Sequence, residues 1–222
     1  MITLKENKLN LIVGHVDSAK TTLIINTVVD YIQEDEEKEV LFFSPDTKYH
    51  HIDKKIHCLV NDVDLSSVKH DKKTLKPTGL TLPKGLLVFD DCKEYDSIKQ
   101  NIREFTKGGK PSLIILDNIN QIDFGFKGLP YKEKISKIFD TLCELADKEG
   151  VTILASFYML KIANWEDDMD FSSNDENLGS MVLVQREDRV VDVFDEEVST
   201  SFKYTINPRN LKLEQKATVH LN

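Results

Sequence analysis

Leu11-Ile12-Val13-Gly14-His15-Val16-Asp17-Ser18-Ala19-Lys20-Thr21-Thr22 is an apolar run, a loop with one glycine, and then the start of a segment with helical periodicity. Its spacing is that of G-x-x-x-x-G-K-[ST], with Ala19 where the second glycine belongs. Such a loop curls backbone N–H groups into a nest at a helix N-terminus, where they and the positive end of the helix meet phosphate oxygens. Lys20 then stands where an ammonium reaches the β- and γ-phosphates, and Thr21 where a hydroxyl binds Mg²⁺. The flanking strand and helix give the short motif its weight. Gly14, His15, Val16, Asp17, Ser18, Ala19, Lys20, Thr21 and Thr22 are therefore the expected cofactor-binding residues, with ATP and Mg²⁺ as the expected cofactors.

Two residues depart from the pattern. If position 19 requires a left-handed backbone, the methyl of Ala19 costs about 1–2 kcal/mol. A carboxylate at Asp17, about 6 Å from a phosphate charge at an effective dielectric near 20, is repelled by roughly 2–3 kcal/mol. Asp17 either points away from the phosphates or, with Ser18, caps the helix.

Outward from this loop, short apolar runs alternate with helical segments. Leu9–Val13, Val40–Ser44, Leu86–Phe89, Leu113–Leu116 and Val151–Ser156 are runs rich in Val, Ile, Leu and Phe, suited to strands buried on both faces. Helices are expected at Thr22–Gln33, near Asp96–Phe105 and at Glu133–Glu149, the last stopping at Gly150. This alternation predicts an α/β sheet with helices on both faces. Beyond about residue 180, Met181–Val184, Arg189–Phe194, Ser199–Ile206 and Ala217–Leu221 follow one another without helices, which predicts an antiparallel extension of the same sheet.

Composition narrows the class. A chain of 222 residues with 40% hydrophobic and 30% charged residues predicts one core, so residues 1–222 are expected to form a single domain. Cys58, Cys92 and Cys143 have no paired spacing and fit a reducing compartment better than a disulfide framework or a zinc site. No run of 18 apolar residues and no apolar leader follow Met1, so the expectation is a cytoplasmic protein with no membrane partner. The net charge of −9 leaves nucleic acid to a local patch rather than a global field.

Leu113-Ile114-Ile115-Leu116-Asp117 ends a strand in an acid, at the sheet edge where doubly wound folds bind ligands. Asp117 holds Mg²⁺ through water, or it caps the following turn with Asn118. The order of motifs now resembles the RecA-like ATPase domain of DnaB-type replicative helicases, from Lys8 to Leu221. Phe43-Ser44-Pro45-Asp46 is similar to that family's F-S-L-E, with Asp for the catalytic Glu. Leu87-Val88-Phe89-Asp90-Asp91 is similar to its strand ending in two acids, and Leu116-Asp117-Asn118-Ile119-Asn120 to its I-D-Y-L-Q. Leu154-Ala155-Ser156-Phe157 is similar to its strand ending in S-Q, with Phe157 in place of Gln. Asn207-Pro208-Arg209-Asn210 resembles its K-Q-R-N, with Asn207 in place of Lys.

The resemblance implies a RecA-like three-layer fold with a mostly parallel central sheet and C-terminal antiparallel strands. It implies catalytic roles for Lys20, Asp46, Asp117 and Arg209, and a metal held by Thr21 and Asp117. Arg209 would act across a subunit boundary in a ring or filament of identical chains, or it is an exposed turn arginine. The process implied is DNA replication, recombination or repair, phage- or mobile-element-encoded, with single-stranded DNA on a local patch and a replication or recombination protein as partners. Asp46 is one methylene short, and a misplacement of about 1 Å can cost around 100-fold in rate. The alternative function is a non-hydrolysing RecA-fold assembly or regulatory module that binds a partner protein.

Other segments carry weaker signals. Lys69, Lys72, Lys73, Lys76 and Lys84, with His70, form an exposed loop or a phosphate contact. Trp165 precedes Glu166, Asp167, Asp168, Asp170, Asp175 and Glu176, a run that repels phosphate and is either a solvated loop or a dock for a basic partner. His50, His51 and His57 are expected at the surface or in local structure.

Overall fold

The computed structural model describes residues 2–35, 37–68, 83–109, 111–158, 178–187, 190–195 and 200–220. In chain order the elements are β1 (Leu9–Gly14), α1 (Lys20–Glu34), β2 (Val40–Phe43), α2 (Tyr49–Asn61), β3 (Leu86–Phe89), α3 (Tyr95–Gly108), β4 (Leu113–Leu116), a 3₁₀ turn (Ile119–Gln121), α4 (Tyr131–Glu149), β5 (Ile153–Tyr158), β6 (Leu178–Glu187), β7 (Val190–Asp195), β8 (Thr200–Ile206) and β9 (Leu213–His220). Among the described residues one nine-stranded sheet runs in the order β3-β2-β4-β5-β1-β6-β7-β8-β9.

The continuous apolar runs have a direct cause. In β2, Leu41 and Phe43 face a layer made by α3 and α4, while Val40 and Phe42 face a layer made by α1 and α2. The same alternation holds in β4, with Leu116 on the first face and Ile115 on the second. A strand covered on both sides has no solvent-facing positions to fill with polar residues.

Pairing is parallel from β3 through β1 to β6, and antiparallel from β6 to β9. This is the expected mostly parallel sheet with antiparallel strands at its C-terminal end, with one difference. β6 runs parallel to β1, so the antiparallel part begins at β7, one strand later than the sequence pattern suggests. Residues 159–177 separate β5 from β6, long enough for the crossover that a parallel return requires.

A second difference is α2, which the periodicity reading does not contain. Ile52, Ile56 and Leu59 do recur at helical spacing, but histidines, lysines and Asp53 between them mask the pattern. Within α2, His57 is buried rather than superficial, its Nε2 3.8 Å from the equally buried Asp53 carboxylate.

Polar anchors fix the middle of the sheet and its C-terminal hairpin. Asn10, fully buried in β1, accepts from the N–H of Lys5 and of Ser180 and from the Ser180 hydroxyl. Its amide donates to the carbonyls of Lys5, Lys8 and Ile153. In α1, the Asn26 amide donates to the Leu211 carbonyl and its oxygen accepts from Leu213 N–H, tying the β8–β9 turn to that helix.

Candidate functional site

The loop between β1 and α1 is shaped by two close approaches. A Cβ on Gly14 would lie 2.4 Å from the Val184 carbonyl oxygen and 2.6 Å from Ser18 Oγ, so only glycine fits there. Ala19 is the N-cap of α1 and sits at φ 70°, ψ 20°, the left-handed region a glycine would occupy without strain. Neither Asp17 nor Ser18 caps the helix, which corrects that expectation: no side chain caps α1, and Ser18 Oγ instead accepts from Lys20 at 3.3 Å. Asp17, at φ 61°, is exposed and lies within Coulombic reach of Lys20.

Lys20 folds its ammonium back onto the loop, donating to the carbonyls of Gly14 at 3.0 Å and His15 at 2.6 Å. Burial lowers its pKa, while the charges of Asp117 and Asp17 oppose that shift. Asp117 lies at the end of β4 and is 3% exposed. Burial pushes its carboxyl above the usual range; hydrogen bonds from the Ser156 and Thr21 hydroxyls and the charge of Lys20 pull it down, and Asp46 pushes it up. The Thr21–Asp117 contact joins the first turn of α1 to the end of β4.

Strand register explains this convergence. Phe43 pairs with Leu116 and Leu116 with Ala155, so the next residues, Ser44, Asp117 and Ser156, stand level, just past β2 and β4 and two residues before the end of β5. Two positions from Phe42, Ile115 and Leu154, they share the sheet face covered by α1 and α2.

Asp46 follows directly. It is exposed, and its carboxylate accepts from Asn118 Nδ2 at 3.1 Å and from the Thr47 hydroxyl at 3.3 Å. The Asp117–Asn118 peptide between the two acids' neighbourhoods is cis. Asp90, first of the two acids after β3, accepts from Tyr49 N–H at 2.9 Å and so holds the start of α2 beside Asp46.

Lys20, Thr21, Asp117 and Asp46 are thus brought together; Arg209 is not. Arg209 lies in the turn between β8 and β9, and its side chain is exposed within Coulombic reach of Asp64. That turn is not a free tip. Arg209 accepts from Leu65 N–H through its carbonyl at 2.6 Å, and Asn210, nearly fully buried, donates to Asp62 at 2.5 Å. Phe157 is buried against Phe139 of α4, an apolar role that a glutamine would not fill. Trp165 and its acidic neighbours, and Lys69, His70, Lys72, Lys73 and Lys76, lie outside the described residues.

Four contributors escaped the motif reading. Ser156 enters the sequence reading only as part of a motif and Asn118 only as a motif and turn residue beside Asp117; their contacts to Asp117 and Asp46 depend on how distant strands align. Asn120 exchanges two hydrogen bonds with the Tyr158 backbone, clamping the end of β5 to the turn after β4. Lys55, on the unanticipated α2, has a pKa lowered by burial and opposed by the charge of Asp117. No short sequence signal marks it.

No family model and no curated protein matches the chain. Among solved structures it resembles a DnaB-like replicative helicase studied for its interactions with primase, at a TM-score of 0.72 and 11% identity, over 95% of this chain and 57% of that one. It also resembles a second solved ATPase domain, at 0.72 and 11%, over 94% of this chain and 85% of that one. A third likeness is to a KaiC-like protein of the hyperthermophilic archaeon Pyrococcus horikoshii OT3, at 0.62 and 12%, over 96% and 91%. The fold is therefore RecA-like, of the kind found in DnaB-like helicase ATPase domains. The chain spans 57% of the length of the DnaB-like helicase. No described helix is long and apolar enough to cross a membrane.

Proposed function

We propose that this chain binds ATP with Mg²⁺ and hydrolyses it, as a RecA-like ATPase acting in DNA replication, recombination or repair alongside copies of itself. The observation that carries this reading is the meeting of Thr21, from the loop that opens α1, with the buried carboxyl of Asp117. Hydroxyl and carboxylate are the hard oxygen donors that suit Mg²⁺, and a cation would favour the ionised form that burial disfavours at Asp117. The residues therefore fit the ion.

When bound, Mg²⁺ neutralises phosphate charge as a Lewis acid. Lys20 supplies a positive charge whose present acceptors are two loop carbonyls and the Ser18 hydroxyl, weaker partners than phosphate oxygens. The loop N–H groups at the start of α1 bind and orient anionic oxygens. Asp46, exposed at the mouth of the site, takes the proton of the attacking water. Arg209 serves a neighbouring copy: its guanidinium is permanently charged, and it points from a turn braced on two helices.

A second reading, a RecA-fold module that binds nucleotide or a partner without turnover, is favoured by the shortened acid at Asp46 and by Phe157 packed into the core. Phosphate release measured with and without single-stranded DNA separates the two. Turnover lost in Lys20→Ala supports the ATPase, and nucleotide binding with no turnover supports the module.

A further inference from the structure

The side chain of Arg209 is free while its backbone is held. Among the described residues the exposed guanidinium makes no hydrogen bond or ion pair and lies only within Coulombic reach of Asp64. The turn beneath it is tightly bonded. Arg209 N–H donates to Asn207 Oδ1 at 3.0 Å, and the Arg209 carbonyl accepts from Leu65 N–H at 2.6 Å. Leu211, at φ 64°, donates its N–H to the Asn207 carbonyl at 2.9 Å. A leucine keeps that left-handed conformation only where its surroundings impose it.

Two helices of the same chain do so. Asn210, 4% exposed, accepts from Lys212 N–H at 3.0 Å through Oδ1 and donates to Asp62 at 2.5 Å through Nδ2. A carboxylate only accepts, so both ends of this amide are assigned. Asp62 is itself fixed as the C-cap of α2, at φ 51°, ψ 41°, with its N–H on the Cys58 carbonyl. From the other side, Asn26 of α1 holds Leu211 and Leu213.

We propose that Asp62 is a positioning residue for Arg209: through Asn210 it fixes the turn so that the free guanidinium meets the γ-phosphate in the site of a neighbouring copy. This rests on the reading above, in which Arg209 serves that copy, and deepens it. A hydrogen bond to an ionised acceptor is stronger than one between neutral groups, so Asp62 is the firmest side-chain tie between the turn and α2. A guanidinium with no partner in its own chain breaks no contact before it forks onto phosphate oxygens. Placement then governs its effect, because a displacement of about 1 Å can cost around 100-fold in rate.

An asymmetric mixing experiment tests it. Asp62→Gly removes the acceptor but suits the left-handed backbone, and Asp62→Asn keeps an acceptor. In an equimolar mixture of Arg209→Ala and Lys20→Ala chains, turnover comes from sites whose phosphate loop belongs to the first chain and whose arginine belongs to the second. Asp62→Gly added to the Lys20→Ala chain should lower phosphate release about 10-fold, and Asp62→Asn added there should leave it within about two-fold. Asp62→Gly added to the Arg209→Ala chain, which has no arginine to place, should change release less than about two-fold. Equal losses in the two chains, or no loss with the Lys20→Ala chain, overturn the proposal. A parent mixture that stays inactive while the wild type turns over refutes the role of Arg209 itself and takes the proposal with it. A second readout needs no nucleotide: hydrogen exchange at the Leu65 and Arg209 amides of the whole chain should be about 10-fold faster in Asp62→Gly and unchanged in Asp62→Asn. Unaltered exchange in Asp62→Gly overturns the proposal even where wild-type turnover is absent and the ATPase reading has failed on its own.

Discussion

Replacing Ala19 with glycine should stabilise the ligand-free protein, although glycine normally weakens a helix. Ala19 holds φ 70°, ψ 20° at the N-cap of α1, with no side-chain cap to offset the strain. A left-handed non-glycine residue costs about 1–2 kcal/mol, which the substitution releases. Glycine adds roughly 0.4–1 kcal/mol of unfolded-state entropy, which opposes the gain. The net is about +0.5 to +1 kcal/mol, and for a chain of 222 residues this raises Tm by roughly 1–4 °C. Thermal unfolding followed by circular dichroism without nucleotide reads it directly. Ala19→Val provides the opposite sign, because a β-branched residue is worse still in that region. Gly14→Ala should destabilise for a different reason, since its Cβ would meet the backbone oxygen of Val184 at 2.4 Å. A Tm for Ala19→Gly below wild type would refute the assignment of strain to this loop.

Asp46→Asn should abolish turnover with ATP affinity nearly intact, and Asp46→Glu should raise the rate if the short acid limits it; single-turnover kinetics with equilibrium binding separates rate from affinity. Asn10→Leu should cost about 3 kcal/mol in urea unfolding, because it strands the buried Ile153 carbonyl and Ser180 N–H and breaks the ties to Lys5. Asp117→Asn should stabilise the ligand-free protein at pH 7 and much less at pH 3: a folded carboxyl raised above its unfolded value loses stability as pH rises through that window, and the amide does not. Mixing Arg209→Ala with Lys20→Ala subunits should recover turnover that neither has alone, measured by phosphate release, if Arg209 completes a neighbour's site.

Much of the fold was legible because its central strands are covered on both faces, so β2 and β4 read as unbroken apolar runs and β1 and β5 as runs broken only by Asn10 and Ser156. The direction of β6 was not, since strand polarity depends on the crossover and not on the residues of the strand. The helix α2 stayed hidden for a related reason: His57 and Asp53 are buried as a pair, which defeats a reading that sorts polar residues to the surface. At the site, Lys20, Thr21 and Asp117 were visible because each is fixed by a local motif. Ser156, Asn118 and Lys55 were not, because each reaches the site through pairing between elements distant in sequence. Arg209 was legible as a turn residue, but its bracing by Asn26, Asp62 and Leu65 was not.

The central claim is that Lys20, Thr21 and Asp117 form a site for ATP with Mg²⁺. Isothermal titration calorimetry of ATP into the full chain, with Mg²⁺ and again with EDTA, tests it most directly. Saturable binding is expected that needs Mg²⁺ in the wild type and is lost in Lys20→Ala. No binding at millimolar ATP, or binding unchanged by EDTA and by Lys20→Ala, would contradict it.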